Sequence, residues 1–281
     1  NVTFDWYTRN NFDLIGPKVT NGTKGVVTQM LNVASMRSHG EELSISSKNF
    51  VGKDFQWTTD FIFSHVTTKV TSLDSRKRII DMITGSGFTK EGYAYRSLFS
   101  MDYVYEGPTD PTITGSLGNV FSYKGFHLNI FATYAFGNKI RLDPSFASSY
   151  SDLDAMPKEF KNRWTMAGDE ARTDIPAIAD LRQMQSDNIL HRAYNAYNRS
   201  TARVAKGDFI RMKEISLSYD FPQQWISYLH LNAVNLKLQA TNLFLIYSDK
   251  KLNGQDPEFF NAGGVAVPMA RQFTMTLRVG L

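Results

Sequence analysis

The sequence contains no cysteine. Disulfide frameworks, thiolate metal sites and cysteine nucleophiles are therefore excluded. The compartment stays open, because an oxidising periplasm permits disulfides without requiring them. Long apolar runs are also missing. Nothing approaches the ~18 consecutive apolar residues of a membrane-spanning helix, which rules out a helical membrane protein. Charge of one sign is not in large excess either. The 31 Lys and Arg against 27 Asp and Glu leave a net charge of +4 and a pI near 9.1. The basic residues are mixed with acids, and Arg76-Lys77-Arg78 is a short run that reads as solvated loop. No nucleic-acid partner is expected. No signal peptide is visible. The opening Asn1-Val2-Thr3-Phe4-Asp5-Trp6 already alternates like a strand, which reads as the interior or a mature fragment of a longer protein.

Aromatic residues are abundant. Phe 20, Tyr 13 and Trp 4 make up 13% of 281 residues. The average is otherwise that of a soluble protein, with 42% hydrophobic residues and a mean hydropathy of −0.31. A transmembrane β-barrel reconciles the two, since its strands alternate apolar and polar residues and carry aromatic girdles at both interfaces.

The period-2 signal supports this. In Met269–Leu281, Phe273, Met275, Leu277 and Val279 alternate with Gln272, Thr274, Thr276 and Arg278. That length suffices for a tilted strand of ~9–11 residues to cross a bilayer. Asp208–Phe221, Leu231–Tyr247 and Phe126–Phe136 alternate likewise, as do Phe55, Trp57, Phe61 and Phe63 against their polar neighbours. With Val2–Thr8, Arg37–Ser47 and Thr112–Tyr123 the set comes to about eight antiparallel strands. The connections alternate in length. Short ones lie near Lys48–Lys53, Lys124-Gly125 and Pro222–His230; long ones are Arg9–Met36, Thr71–Pro111, Asn138–Gly207 and Ser248–Pro268. Short periplasmic turns and long extracellular loops are the barrel pattern, so the final strand runs inward and Leu281 lies at the periplasmic rim. Glu214 and Lys237 fall on the polar, luminal set. Lys213 and Arg271 break the alternation near the outer strand ends, where long side chains reach the headgroups. Asn138–Gly207, with Pro144, Pro157 and Pro176, reads as a folded extracellular loop with a short helix within Arg172–Tyr197.

Several segments resemble one family in order along the chain. Gly40-Glu41-Glu42-Leu43 is similar to a "K-G-x-E-L" strand, and Gly115–Phe126 to a "G-x-x-N-x-F-x-Y-K-x-F" hairpin. Arg163-Trp164-Thr165-Met166-Ala167-Gly168-Asp169 resembles "R-W-x-x-P-G-D", with Ala167 where proline is usual. Ile210–Tyr219 resembles "L-R-L-K-N-I-x-L-x-Y". Gln239–Phe244 followed by Gly254-Gln255-Asp256-Pro257-Glu258 resembles "G-x-N-L-F … G-x-D-P-E". These are patterns of the SusC/RagA family of TonB-dependent outer-membrane transporters. Residues 1–281 then correspond to the C-terminal part of such a barrel, although the family usually ends on Phe and this chain on Leu281. The resemblance implies a 22-stranded barrel in the outer membrane, a plug and N-terminal strands absent from this sequence, and a SusD-like surface lipoprotein as lid. It further implies oligosaccharide or peptide cargo, and energy delivered by TonB through an absent N-terminal region. The alternative is a structural barrel subunit of a larger outer-membrane assembly or secretion machine.

No enzyme activity and no cofactor are expected. The histidines His39, His65, His127, His191 and His230 lack metal-site spacing. Asp152, Asp154, Asp169, Glu170 and Asp174 lack EF-hand spacing and read as loop charge. Asp256-Pro257-Glu258 reads as a rigid turn rather than a glycosidase pair. The candidate substrate or lid contacts are Tyr103, Tyr105, Trp164, Tyr194, Tyr197, Asp256 and Glu258. Membrane lipids would contact the apolar face.

Overall fold

The computed structural model describes residues 1–74, 80–84, 87–143, 158–186, 188–259 and 269–280. Arg76-Lys77-Arg78, Pro144, Asp152, Asp154, Pro157 and Leu281 lie outside the described residues. In chain order the strands are β1 (Val2–Val19), β2 (Thr28–Val51), β3 (Phe55–Leu73), β4 (Ser97–Phe99), β5 (Tyr105–Pro108) and β6 (Ile113–Tyr123). They continue with β7 (Phe126–Phe136), β8 (Lys139–Arg141), β9 (Val204–Lys206), β10 (Phe209–Asp220), β11 (Ala233–Ser248) and β12 (Gln272–Gly280). Eight of them form one antiparallel sheet in the order β1-β2-β3-β6-β7-β10-β11-β12. These are the eight strands that the alternation predicts. The small hairpins β4-β5 and β8-β9 belong to the long loops.

Register gives each face a continuous identity. Trp57, Phe121, Leu128, Leu217, Leu238 and Met275 form one cross-strand row. Phe4, Leu43, Phe63, Gly115, Tyr134 and Ile210 form another on the same face. On the opposite face Gln56, Ser122, His127, Ser218, Lys237 and Thr276 line up. A sheet apolar on one side and polar on the other, with no apolar layer packed over it among the described residues, is a wall between lipid and a watery lumen. The described apolar cores accordingly lie in the loops, such as Met82, Ile83, Phe88 and Phe99, or Ile140, Leu142, Ala205 and Leu252.

Two expectations require correction. Arg9–Met36 is not a long loop: β1 continues to Val19 and β2 starts at Thr28, so the connection is a short turn with a 3-10 helix at Gly22–Lys24. A bulge between Asn11 and Leu14, with Asp13 at φ 57°, interrupts the alternation that would have revealed the strand. Such an extra residue rephases every side chain beyond it. Lys213 likewise has no register partner on either neighbour, because β10 bulges between Met212 and Glu214. It is an inserted residue, not an outward-facing one in regular alternation.

The turn at Lys124-Gly125 has positive φ at both residues (46° and 87°), as a two-residue type I′ hairpin requires.

Candidate functional site

The luminal wall is a hydrogen-bonded surface. Glu214 stands 3.6 Å from Lys237 and accepts from Asn129 at 3.3 Å. Ser122 Oγ lies 2.8 Å from His127 Nδ1, and His127 Nε2 lies 2.9 Å from Asp220, which also accepts from Asn235 at 2.7 Å. The chain Ser122–His127–Asp220–Asn235 thus ties β6, β7, β10 and β11 together at the inner ends of the strands. It has the residue types of a hydrolytic triad, but it sits on an open wall, and its evident role is to join strands. On β1 and β2, Tyr7 lays its ring over Gly40, where an added Cβ would come within 2.2 Å of the ring, and its hydroxyl donates to Glu42 at 3.4 Å.

At the mouth, Arg211 is the organising residue. The bulge before Glu214 places Arg211 opposite Thr133 on the luminal face, with its side chain 6% exposed. Its guanidinium pairs with Asp256, and its Nε lies 2.7 Å from Glu258. Asp256 also receives the Glu258 and Phe259 amides, at 3.1 Å each, through its carboxylate and its carbonyl respectively. The Asp-Pro-Glu turn is therefore clamped onto the barrel wall. Charge-assisted bonds inside a dry pocket are strong only when all partners are present.

A second knot holds the largest loop. Glu159 pairs with buried Arg203 and accepts from Asn253 at 3.0 Å. Phe160 and Tyr194 form a small core with Ile175, Ala179, Leu190 and Tyr197. The helices Leu181–Ser186 and Asn188–Asn198 fall in the segment where a short helix is expected. Asp169 closes the Arg163–Asp169 motif: its carboxylate accepts the Thr165 and Met166 amides at 2.9 and 3.0 Å. Those amides hold the carboxyl below the usual carboxylate range. Trp164 Nε1 donates to the Thr173 carbonyl at 2.6 Å.

The sequence-derived candidates separate accordingly. Asp256 and Glu258 converge on Arg211. Tyr194 is buried, its hydroxyl donating to the Ala177 carbonyl at 2.6 Å and accepting from the Ala179 amide at 3.0 Å, so its hydroxyl is engaged within the loop. Tyr197 is half-buried beneath the Arg203 guanidinium, and burial raises its phenol pKa. Tyr103, Tyr105 and Trp164 retain accessible ring surface. Tyr103 follows Asp102 in a pair of left-handed residues (φ 62° and 59°), which pushes the ring outward at 53% exposure. Arg211 was not among the candidates. Its signal was present, since it lies in a strand whose neighbours are apolar, but the alternation assigns its face only once the bulge is known.

The motifs that carried the resemblance prove to be structural devices. Gly115 admits Tyr134, whose hydroxyl donates to the Ile62 carbonyl at 2.9 Å; a Cβ would lie 2.1 Å from that carbonyl. Asn119, on the apolar face, accepts from Trp57 Nε1 at 3.0 Å and Thr59 at 2.7 Å. Asn242 adopts φ 53° at the β11 irregularity opposite Lys213, a conformation that Asn tolerates better than most residues.

No family model matches the chain. Among curated proteins it is 26% identical to TonB-dependent receptor P3 of Formosa agariphila, over 92% of this chain and 28% of that protein. It is 24% identical to TonB-dependent receptor SusC of Bacteroides thetaiotaomicron, over 99% of this chain and 29% of that protein. Among solved structures, one of the RagAB peptide transporter superposes with a TM-score of 0.73 at 20% identity, covering 99% of this chain and 33% of the other. The chain thus spans about a third or less of the proteins it matches. The open eight-stranded wall, the motif residues in their structural places and these relatives together make the chain similar to a portion of the β-barrel of SusC/RagA-like, TonB-dependent receptors.

Proposed function

We propose that residues 1–281 form the C-terminal barrel wall of a TonB-dependent importer that moves nutrient molecules across the outer membrane. The observation that carries this reading is the Arg211 clamp. A luminal arginine at the mouth holds an extracellular loop inward through Asp256 and Glu258, which is the arrangement expected where loops shape a cargo chamber. The walls are static. A plug in the remainder of the protein would move, driven by TonB through an N-terminal region. Oligosaccharides or peptides are the proposed cargo, delivered with a SusD-like lipoprotein seated on the loops. Tyr103, Tyr105 and Trp164 supply the accessible aromatic surface for stacking on cargo or lid.

The test is uptake by cells carrying the complete protein. Deleting the gene should abolish growth on one oligosaccharide or peptide source, and disabling TonB should do the same. Growth unaffected on every such source, together with co-purification of assembly subunits, would instead favour a structural barrel in a larger machine.

A further inference from the structure

A hollow of about 890 Å³ lies above the lipid-facing band of the wall, lined by residues of the apolar side together with Thr68 and Val70 of the opposite parity. Arg37, His39, Thr67 and Lys69 line it from β2 and β3, and Tyr93 and Tyr105 from the loop before β6. The face assignment follows from uninterrupted register: Phe4, Leu43 and Phe63 form a row, then Trp6, Glu41 and His65, then Thr8, His39 and Thr67, then Asn10, Arg37 and Lys69. Each row advances ~6.6 Å along the strand, or ~5 Å along the membrane normal at a tilt of ~40°. His39 and Thr67 therefore stand ~5 Å, and Arg37 and Lys69 ~10 Å, beyond the Trp6 level. The polar layer beside a bilayer core is roughly 5–8 Å deep per side, and long basic side chains reach back into it.

The loop builds the hollow on purpose-shaped backbone. Beyond the end of β6, segment 92–95 pairs with the vacated edge of β3, through Tyr93 O to Val70 N, Gly92 N to Val70 O and Tyr95 N to Thr68 O. Gly92 and Ala94 keep that wall shallow. Tyr93 and Tyr105 pack against each other at 5.1 Å, and Lys90 Nζ sits 4.9 Å from the Tyr93 ring centroid. Arg37 is held by Asn10, its Nε donating at 2.8 Å. Arg37 and Lys69 have no carboxylate partner among the described residues. The carboxylate in the lining, Glu91, lies within 3.4 Å of the Leu73 amide.

We infer that this hollow binds the phosphorylated sugar head of an outer-leaflet glycolipid, with Arg37 and Lys69 on the phosphate and His39 beside them. Two exposed cations without a carboxylate partner among the described residues, at headgroup depth and on the lipid side, fit an anionic lipid head, and each is expected to add to its retention. The inference rests on the orientation adopted above, with the long loops outside.

The experiment uses the complete protein purified in detergent and titrated with bis-phosphorylated lipid A, its dephosphorylated form, and inorganic phosphate, with bound lipid counted by native mass spectrometry. The wild type should retain bis-phosphorylated lipid A, while R37Q/K69Q weakens retention on the order of tenfold. Dephosphorylated lipid A should bind the wild type as weakly as the variant binds the intact lipid, and inorganic phosphate should not compete. Equal retention by wild type and variant, with both heat-modifiable, overturns the site. Competition by inorganic phosphate at micromolar concentration points to a soluble anion and overturns the lipid assignment. Orientation is checked separately by labelling Thr23→Cys on intact cells with an impermeant maleimide. Labelling only after the cells are opened overturns the orientation and, with it, this site.

Discussion

Arg211 and Gly115 show how single residues hold this wall. Truncating Arg211 to Ala leaves Asp256 buried without its cation, a loss of roughly 3–5 kcal/mol at such sites. In the complete protein, hydrogen exchange at Glu258 and Phe259, whose amides bond to Asp256, should rise sharply. Unchanged protection there would remove the clamp from the account. Gly115→Val places carbon against the Ile62 carbonyl and the Tyr134 hydroxyl, so it should abolish the heat-modifiable folded form. Gly118→Ala, where the nearest atom would be 3.5 Å away, should be tolerated. Equal behaviour of the two glycines would mean that close approach is not why Gly115 is glycine.

Among elements, the loop around Asp169 is the one with a pH signature. A carboxyl whose folded pKa is lowered contributes stability that is full above its unfolded value, about 3.9, and is lost as pH falls through the lower folded value. Pepsin cleavage between Arg163 and Thr173 should therefore increase as pH falls from 4 towards 2. Asp169→Asn should open the loop already at pH 4. A cleavage rate flat across that window, in both proteins, would show that the amides of Thr165 and Met166 do not depend on the carboxylate. Strand elements make a different prediction. Leu128 and Asn129 are adjacent on β7 but face lipid and lumen respectively. Leu128→Lys, near the inner interface, should cost a fraction of the ~2–4 kcal/mol of a lipid-facing Lys at mid-bilayer, and Asn129→Lys less still, measured by denaturant unfolding in a defined bilayer. Reversal of that order would invert the faces.

For the whole molecule, the sheet is open. Among the described residues β1 pairs with β2 alone and β12 with β11 alone. A strand edge cannot be left facing hydrocarbon, because its amides and carbonyls would go unsatisfied. Residues 1–281 expressed alone should not insert as a closed barrel; a monomeric, heat-modifiable band in detergent would contradict this. The lipid-facing side also explains why so much apolar surface is exposed, as at Phe273 and Met275: the solvent for that face is lipid.

Much of this was legible in residue order. Period-2 alternation located all eight wall strands, their faces and the contrast between short turns and long loops, because side-chain direction in a strand depends on parity alone. It failed where parity is broken. The bulges at Asn11–Leu14 and Met212–Glu214 concealed the long β1-β2 hairpin and the luminal placement of Arg211. Tyr194 looked like any other loop aromatic until folding surrounded its ring and engaged its hydroxyl. By itself, then, the sequence determined a lipid-facing strand wall, since that is a local property repeated along the chain. Tertiary structure decided which distant charges meet, Arg211 with Asp256 and Glu258, and Arg203 with Glu159, because those pairings depend on loop paths that carry no periodic signal.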